Sequence, residues 1–141
     1  MRRLLSENDE RRVIDAIRGA ESATSGEIRV HVERWCGGEA LEAARRWFDR
    51  LGMRETRERN GILFYVAVDD RAFAILGDDG IHERVGADFW IGLRDVLKEA
   101  FAKGEHAAGL TKAIAEAGTQ LAVHFPRRGD DRNELPDTVS P

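Results

Sequence analysis

The stretch Asn60 to Gly80, NGILFYVAVDDRAFAILGDDG, decides how the rest of the chain is read. It opens on a turn pair, Asn60-Gly61. Every residue from Ile62 to Val68 is apolar, with β-branched and aromatic types prominent. A run of that kind reads as a strand covered on both faces. Asp69-Asp70-Arg71 breaks it. A second apolar run, Ala72 to Leu76, ends at Gly77-Asp78-Asp79-Gly80. A break this short makes the two runs an antiparallel hairpin. The expected place of the hairpin is the centre of the sheet, with aspartates at its strand ends.

Working upstream, Glu27 to Arg34 alternates cleanly. Ile28, Val30 and Val32 point one way; Glu27, Arg29, His31 and Glu33 point the other. Period two with one polar face predicts a strand with one side partly wet. Gly37-Gly38 then breaks the chain before a helix over 39–51, which carries Leu41, Ala44, Phe48 and Leu51 on one side and stops at Gly52. Strand, helix and strand at this spacing make a βαβ unit with parallel strands and a right-handed crossover. The hairpin adds a third, antiparallel strand.

Three further helices complete the fold class. Ser6 is a good N-cap for the first, which has Glu7, Asp9 and Glu10 in its opening turn and Val13, Ile14 and Ile17 along one stripe. Another starts near Asp88 and presents Phe89, Trp90, Leu93, Leu97 and Phe101; Trp47, Phe89 and Trp90 are expected in the core. The last runs over 105–124 and is closed by Phe125-Pro126. Ile81 to Gly86 is expected to be a short edge segment or a loop. The expectation is an α/β fold, a small mixed β-sheet packed by about four helices, over residues 1–125. From residue 126 onward the chain is charged and proline-bearing, and reads as a disordered tail.

Composition bounds the function. The 141 residues suffice for one domain with a core. A hydrophobic share of 42% and a charged share of 34% fit a globular chain. The net charge of −4 gives a nucleic-acid role no support. No apolar run approaches the roughly 20 residues of a membrane span. The N-terminal MRRLLSENDE lacks the apolar segment of a secretory signal, so the expected location is cytoplasmic. A single cysteine, Cys36, excludes a disulfide framework within the chain.

The strongest candidate for chemistry is acidic: Asp69, Asp70, Asp78 and Asp79, with Glu83 and Asp88 nearby in sequence. Carboxylates held close repel unless a cation intervenes, and hard oxygen ligands suit Ca²⁺ or Mg²⁺. Geometry limits the idea. A five-residue strand separates its ends by about 17 Å, so one ion cannot take both aspartate pairs, and Asp88 or helix-start backbone must complete any shell. The competing reading is that Asp-Asp-Arg and Asp-Asp-Gly are turn formers, because aspartate caps its own backbone. Gly77-Asp78-Asp79-Gly80 is not a phosphate loop, since no lysine follows and no helix is expected to start there. His31 and Glu27 share a strand face and could form a base–acid pair; a solvated face is the commoner outcome. Arg54, Arg57 and Arg59 could grip a phosphate or form a solvated charge run.

Gly26-Glu27-Ile28, Asn60-Gly61, Asp69-Asp70-Arg71 and the segment after the third strand resemble the TPM domain family over residues 6–125. The resemblance implies a small α/β sandwich with a mixed sheet. It also implies a divalent-cation site, most often calcium, with Asp69, Asp70 and Asp78 as ligands, and an acid phosphatase activity proposed for plant members. Where longer members show Gly-Tyr-Gly-Leu-Glu after the third strand, this chain has Gly77-Asp78-Asp79-Gly80-Ile81-His82-Glu83. Two functions are thereby set against each other. One is a non-catalytic, cation-binding module for a protein partner. The other is a metal-dependent hydrolase of phosphate esters, in which the cation would activate water.

Overall fold

The computed structural model of the chain describes residues 5–127 together with Val139 and Ser140. Helix α1 spans Glu7–Glu21, strand β1 Glu27–Glu33, helix α2 Ala40–Arg50, strand β2 Gly61–Ala67 and strand β3 Ala72–Gly77. A short helix α3, Asp79–His82, precedes the long helices α4, Ala87–Ala102, and α5, His106–His124; a two-residue strand β4, Val139–Ser140, comes last. The sheet order is β3-β2-β1-β4. β1 runs parallel to β2, with Ile28 opposite Ile62 and His31 opposite Tyr65. β3 is antiparallel to β2, with Ala67 opposite Ala72.

Side-chain parity explains the layers. Ile28, Val30 and Val32 of β1 line up with Ile62, Phe64 and Val66 of β2, and the shared face is buried against α1, α4 and α5. Leu110, Ile114, Ala117 and Leu121 of α5 recur at helical spacing, and each is fully or almost fully buried. Burying one Leu or Ile contributes about 1.5–3 kcal/mol, so this helix and the strand face it covers hold much of the core. On the opposite face Leu63, Tyr65 and Ala67 pack with Ala43, Ala44, Phe48 and Met53 of α2 and the turn that follows it. β2 is therefore covered on both sides, which is why its run is apolar at every position. Ser6 caps α1 by accepting from the amide of Asp9 at 3.1 Å, an interaction worth about 1 kcal/mol.

Several expectations are corrected. The hairpin is not the centre of the sheet: β2 is interior, but β3 is an edge strand, half-buried along its length. The polar face of β1 is wet only in part: Glu27 and His31 are buried, with Trp47 of α2 stacked on His31, while Arg29 and Glu33 are half-buried. A helical turn does start at the glycine-aspartate segment, since α3 opens at Asp79 with Asp78 as its N-cap. Phe89, Trp90 and Trp47 flank the core rather than fill it. Of the tail, residues 128–138 and 141 lie outside the described residues. Pro126 bridges Thr24, and Val139–Ser140 pair with Val30 and His31.

Candidate functional site

In open α/β sheets ligands sit outside the carboxyl ends of the parallel strands. β1 and β2 are the parallel pair here, and both end on the same side of the sheet. The β1–α2 loop and the β2–β3 turn meet there because the ladder continues past the strands: the amide of Val68 donates to Glu33 O at 2.9 Å, and that of Asp69 to Arg34 O at 2.8 Å.

Asp70 locks the two connections together. Its Oδ2 accepts from the amide of Cys36 at 2.8 Å and from the Cys36 thiol at 3.2 Å. The thiol also lies 3.0 Å from Gly38 O, and Arg46 Nη2 donates to Cys36 O at 3.4 Å. The Cys36 amide and thiol hold the Asp70 carboxyl below its usual range. Asp69 pairs with Arg34 at 2.8 Å. Residues 34 and 36 are thus anchored on either side of Trp35, whose side chain stays in water at 60% exposure. The Arg34 guanidinium lies over its ring, 4.7 Å from the centroid.

Beneath α2 the polar side of β1 is organised by aromatic groups. The Glu33 carboxylate accepts from the Tyr65 hydroxyl and from Trp47 Nε1. The Trp47 ring stacks on His31 with centroids 3.7 Å apart. Neither His31 nitrogen has a hydrogen-bond partner among the described residues. Burial pushes the imidazole down to about 4, against the attraction of Glu33 and with some help from Arg29. The same burial, with Glu33 as acceptor, pushes the Tyr65 phenol up. His31 is therefore a neutral packing ring at pH 7, and it forms no base–acid pair with Glu27.

At the other end of β3 the chemistry differs. Both oxygens of the buried Asp78 are taken by Arg59, Nε at 2.7 Å and Nη2 at 2.9 Å, and Oδ1 also accepts from the amide of Asp79. Arg54 approaches to 3.7 Å. Hydrogen bonding to Asp78 pushes the Arg59 guanidinium up. Two connector arginines thus do face an oxyanion, but it is the chain's own. Gly80 lets α3 come this close: a Cβ there would sit 2.0 Å from Glu58 O.

The five aspartates do not form one site. Asp69 and Asp70 are at the carboxyl end, Asp78 and Asp79 at the amino end; Asp79 is 76% exposed, and Asp88 lies exposed in the first turn of α4. Among the described residues no group of three or more His, Cys, Asp and Glu side chains is placed to hold a metal ion. With Asp78 neutralised by arginine and Asp70 turned to Cys36, the set does not fit a single Ca²⁺ or Mg²⁺. Sequence reasoning missed Arg34, Trp35 and Cys36. Their available signal was position: the residues between the end of a parallel strand and the Gly37-Gly38 break.

Comparison with known proteins agrees with this architecture. The family model of the TPM domain matches residues 1–120. The chain belongs to the TPM domain family. Among solved structures, this TPM domain is similar to the BA42 protein of the psychrophilic bacterium Bizionia argentinensis, with 42% identity over 99% of this chain and 97% of that one, and a TM-score of 0.92. It shares its fold with an N-terminal domain of a protein from P. gingivalis, at 19% identity over 89% of this chain and 83% of that one, with a TM-score of 0.68. It does so too with the N-terminal domain of cg2496 from Corynebacterium glutamicum, at 12% identity over 98% and 81% of the two chains, with a TM-score of 0.65. No curated protein matches the chain. No helix among the described residues of this TPM domain is long and apolar enough to cross a membrane.

Proposed function

We propose that this TPM domain is a non-catalytic interaction module that docks a protein partner through the loop between β1 and α2. The observation that carries the reading is Trp35, 60% exposed on a loop whose flanking residues are both tied down. Tryptophan and arginine dominate binding hot spots, and a side chain held in place before binding loses less freedom on docking. The partner that suits it offers an apolar pocket for the indole.

Ca²⁺ or Mg²⁺ has one place in this reading, the Asp69–Asp70 turn, as a structural ion. Occupying it requires the exposed Arg34–Asp69 pair to open. Exposed pairs of this kind contribute about 0–1 kcal/mol, so a cation can compete with the guanidinium. Thermal melts with and without each ion test this part. An ion at a hundredfold excess over its Kd adds about 2.7 kcal/mol, and the gain should vanish in Asp69→Asn. An unchanged melt removes the ion and leaves the module.

The module itself is tested by a photo-crosslinking residue placed at position 35, with the exposed Val123 of α5 as control. A discrete adduct at 35 that is lost in Asp70→Ala is expected; adducts of equal yield at both positions count against the loop. Turnover of an aryl phosphate above a metal-only blank, abolished by Asp70→Ala, would replace the module by a hydrolase.

A further inference from the structure

A second feature at the same end of the sheet is independent of the Trp35 loop. A cleft of about 500 Å³ opens between the β2–β3 turn and the junction of α4 with α5. Val66, Ala72 and Phe101 supply its apolar wall; Arg71, Lys98 and His106 supply its polar groups. Among the described residues no carboxylate lines it, although the chain carries 26 acidic residues against 22 basic ones.

Among the described residues the charges in this cleft are uncompensated, for identifiable reasons. The carboxylates next to Arg71 in sequence are committed elsewhere, Asp69 to Arg34 and Asp70 to Cys36. The acids near Lys98 on α4 also face other cations, Asp95 facing Arg94 and Glu99 facing Lys103. Neither Arg71 nor Lys98 has an ion pair among the described residues. Arg71 further holds a left-handed backbone, φ 52°. That conformation is routine for glycine and costs an arginine about 1 kcal/mol. A strained residue whose side chain makes no ion pair among the described residues is a candidate to meet a partner outside the chain. Gly104 and His106, on either side of the start of α5, complete the wall.

We propose that this cleft binds a small amphipathic anion, an oxyanion headgroup on a compact apolar body. Arg71 and Lys98 hold the headgroup, Arg71 by its forked donors. The body lies against Phe101, whose ring is braced edge-on by Phe73 with centroids 5.4 Å apart. A few charged groups over an apolar wall are the usual make-up of a small-ligand site. The step is binding only, with no bond made or broken.

The test is an amide NMR titration of the whole chain with benzoate, phenyl phosphate and inorganic phosphate. Both aryl anions should shift the amides of Ala72, Phe101 and Gly104, and the tighter of the two identifies the headgroup. Lys98→Gln and Arg71→Gly should each weaken binding about tenfold or more. The glycine is compatible with the local backbone, so folding is not at stake, and Arg71→Lys should restore part of the affinity. Trp35→Ala should leave these shifts untouched, which separates this site from the docking loop. Inorganic phosphate binding as well as phenyl phosphate would overturn the role of the apolar wall. No shift at millimolar anion, or shifts unaltered in both charge variants, would overturn the site itself.

Discussion

The two ends of β3 each carry an Asp-Asp pair, and the pairs do different work. At the amino end of the parallel strands Asp78 is buried, doubly bonded to Arg59 and capping α3. At the carboxyl end Asp69 and Asp70 stay exposed and fasten one loop to another through Arg34 and Cys36. The first is a weld within the domain, and the second is a clasp that shapes a surface. Identical dipeptides therefore acquire their roles from their neighbours: an arginine delivered by the connector in one case, a free amide and thiol in the other.

The largest expected effect tests the weld. Asp78→Ala removes a charge-assisted pair and a helix cap together, so urea unfolding should register a loss of about 3 kcal/mol. A loss under about 1 kcal/mol would mean that the two ends are energetically alike. In Arg59→Ala the buried carboxylate loses its main counter-charge. That variant should therefore also lose about 3 kcal/mol in urea unfolding.

A comparable effect tests the carboxyl half through His31. Its folded value is depressed, to about 4, below the unfolded value near 6.5. The unfolded chain thus binds more protons in this window, and stability must fall as pH drops from 6.5 toward 4, by about 3 kcal/mol at the lower limit. His31→Phe should flatten that part of the pH profile while keeping the stack on Trp47. If wild type and variant lose stability in parallel, the imidazole is not the sensor.

The smallest effect in global stability tests the clasp. Asp70→Ala should scarcely change the unfolding midpoint, yet the amides of Cys36 and Gly37 should exchange faster while that of Asp79 does not. The Asp70 carboxyl is depressed, so its contribution is present above the ordinary carboxylate value and is lost as pH falls through the lower folded one. Cooperative loss of protection at both ends would break the distinction drawn between them.

Much of the fold was legible because it depends on periodicity. The unbroken run Ile62–Val68, the alternation of β1 and the helical stripe of α5 each report their own burial pattern, and α1 announces its start through Ser6. Sheet order was less legible. Placing β3 at an edge depends on what does not pair with it, which no local pattern encodes. The burial of His31 was missed for the same kind of reason: it looks like part of a solvated face until Trp47, 16 residues on in α2, stacks against it.

By itself the sequence determined the α/β class, the parallel β1–β2 pair and the hairpin, because these rest on residue spacing along the backbone; the family came from the resemblance of its motifs. Only the tertiary structure decided what the aspartates do. A carboxylate's role depends on which donor lies within about 3 Å of it, and those donors, Arg59 for Asp78 and Cys36 for Asp70, come from 19 and 34 residues away. The same holds for Arg71 and Lys98, two charges that share a cleft because the folded chain brings a turn and a helix together.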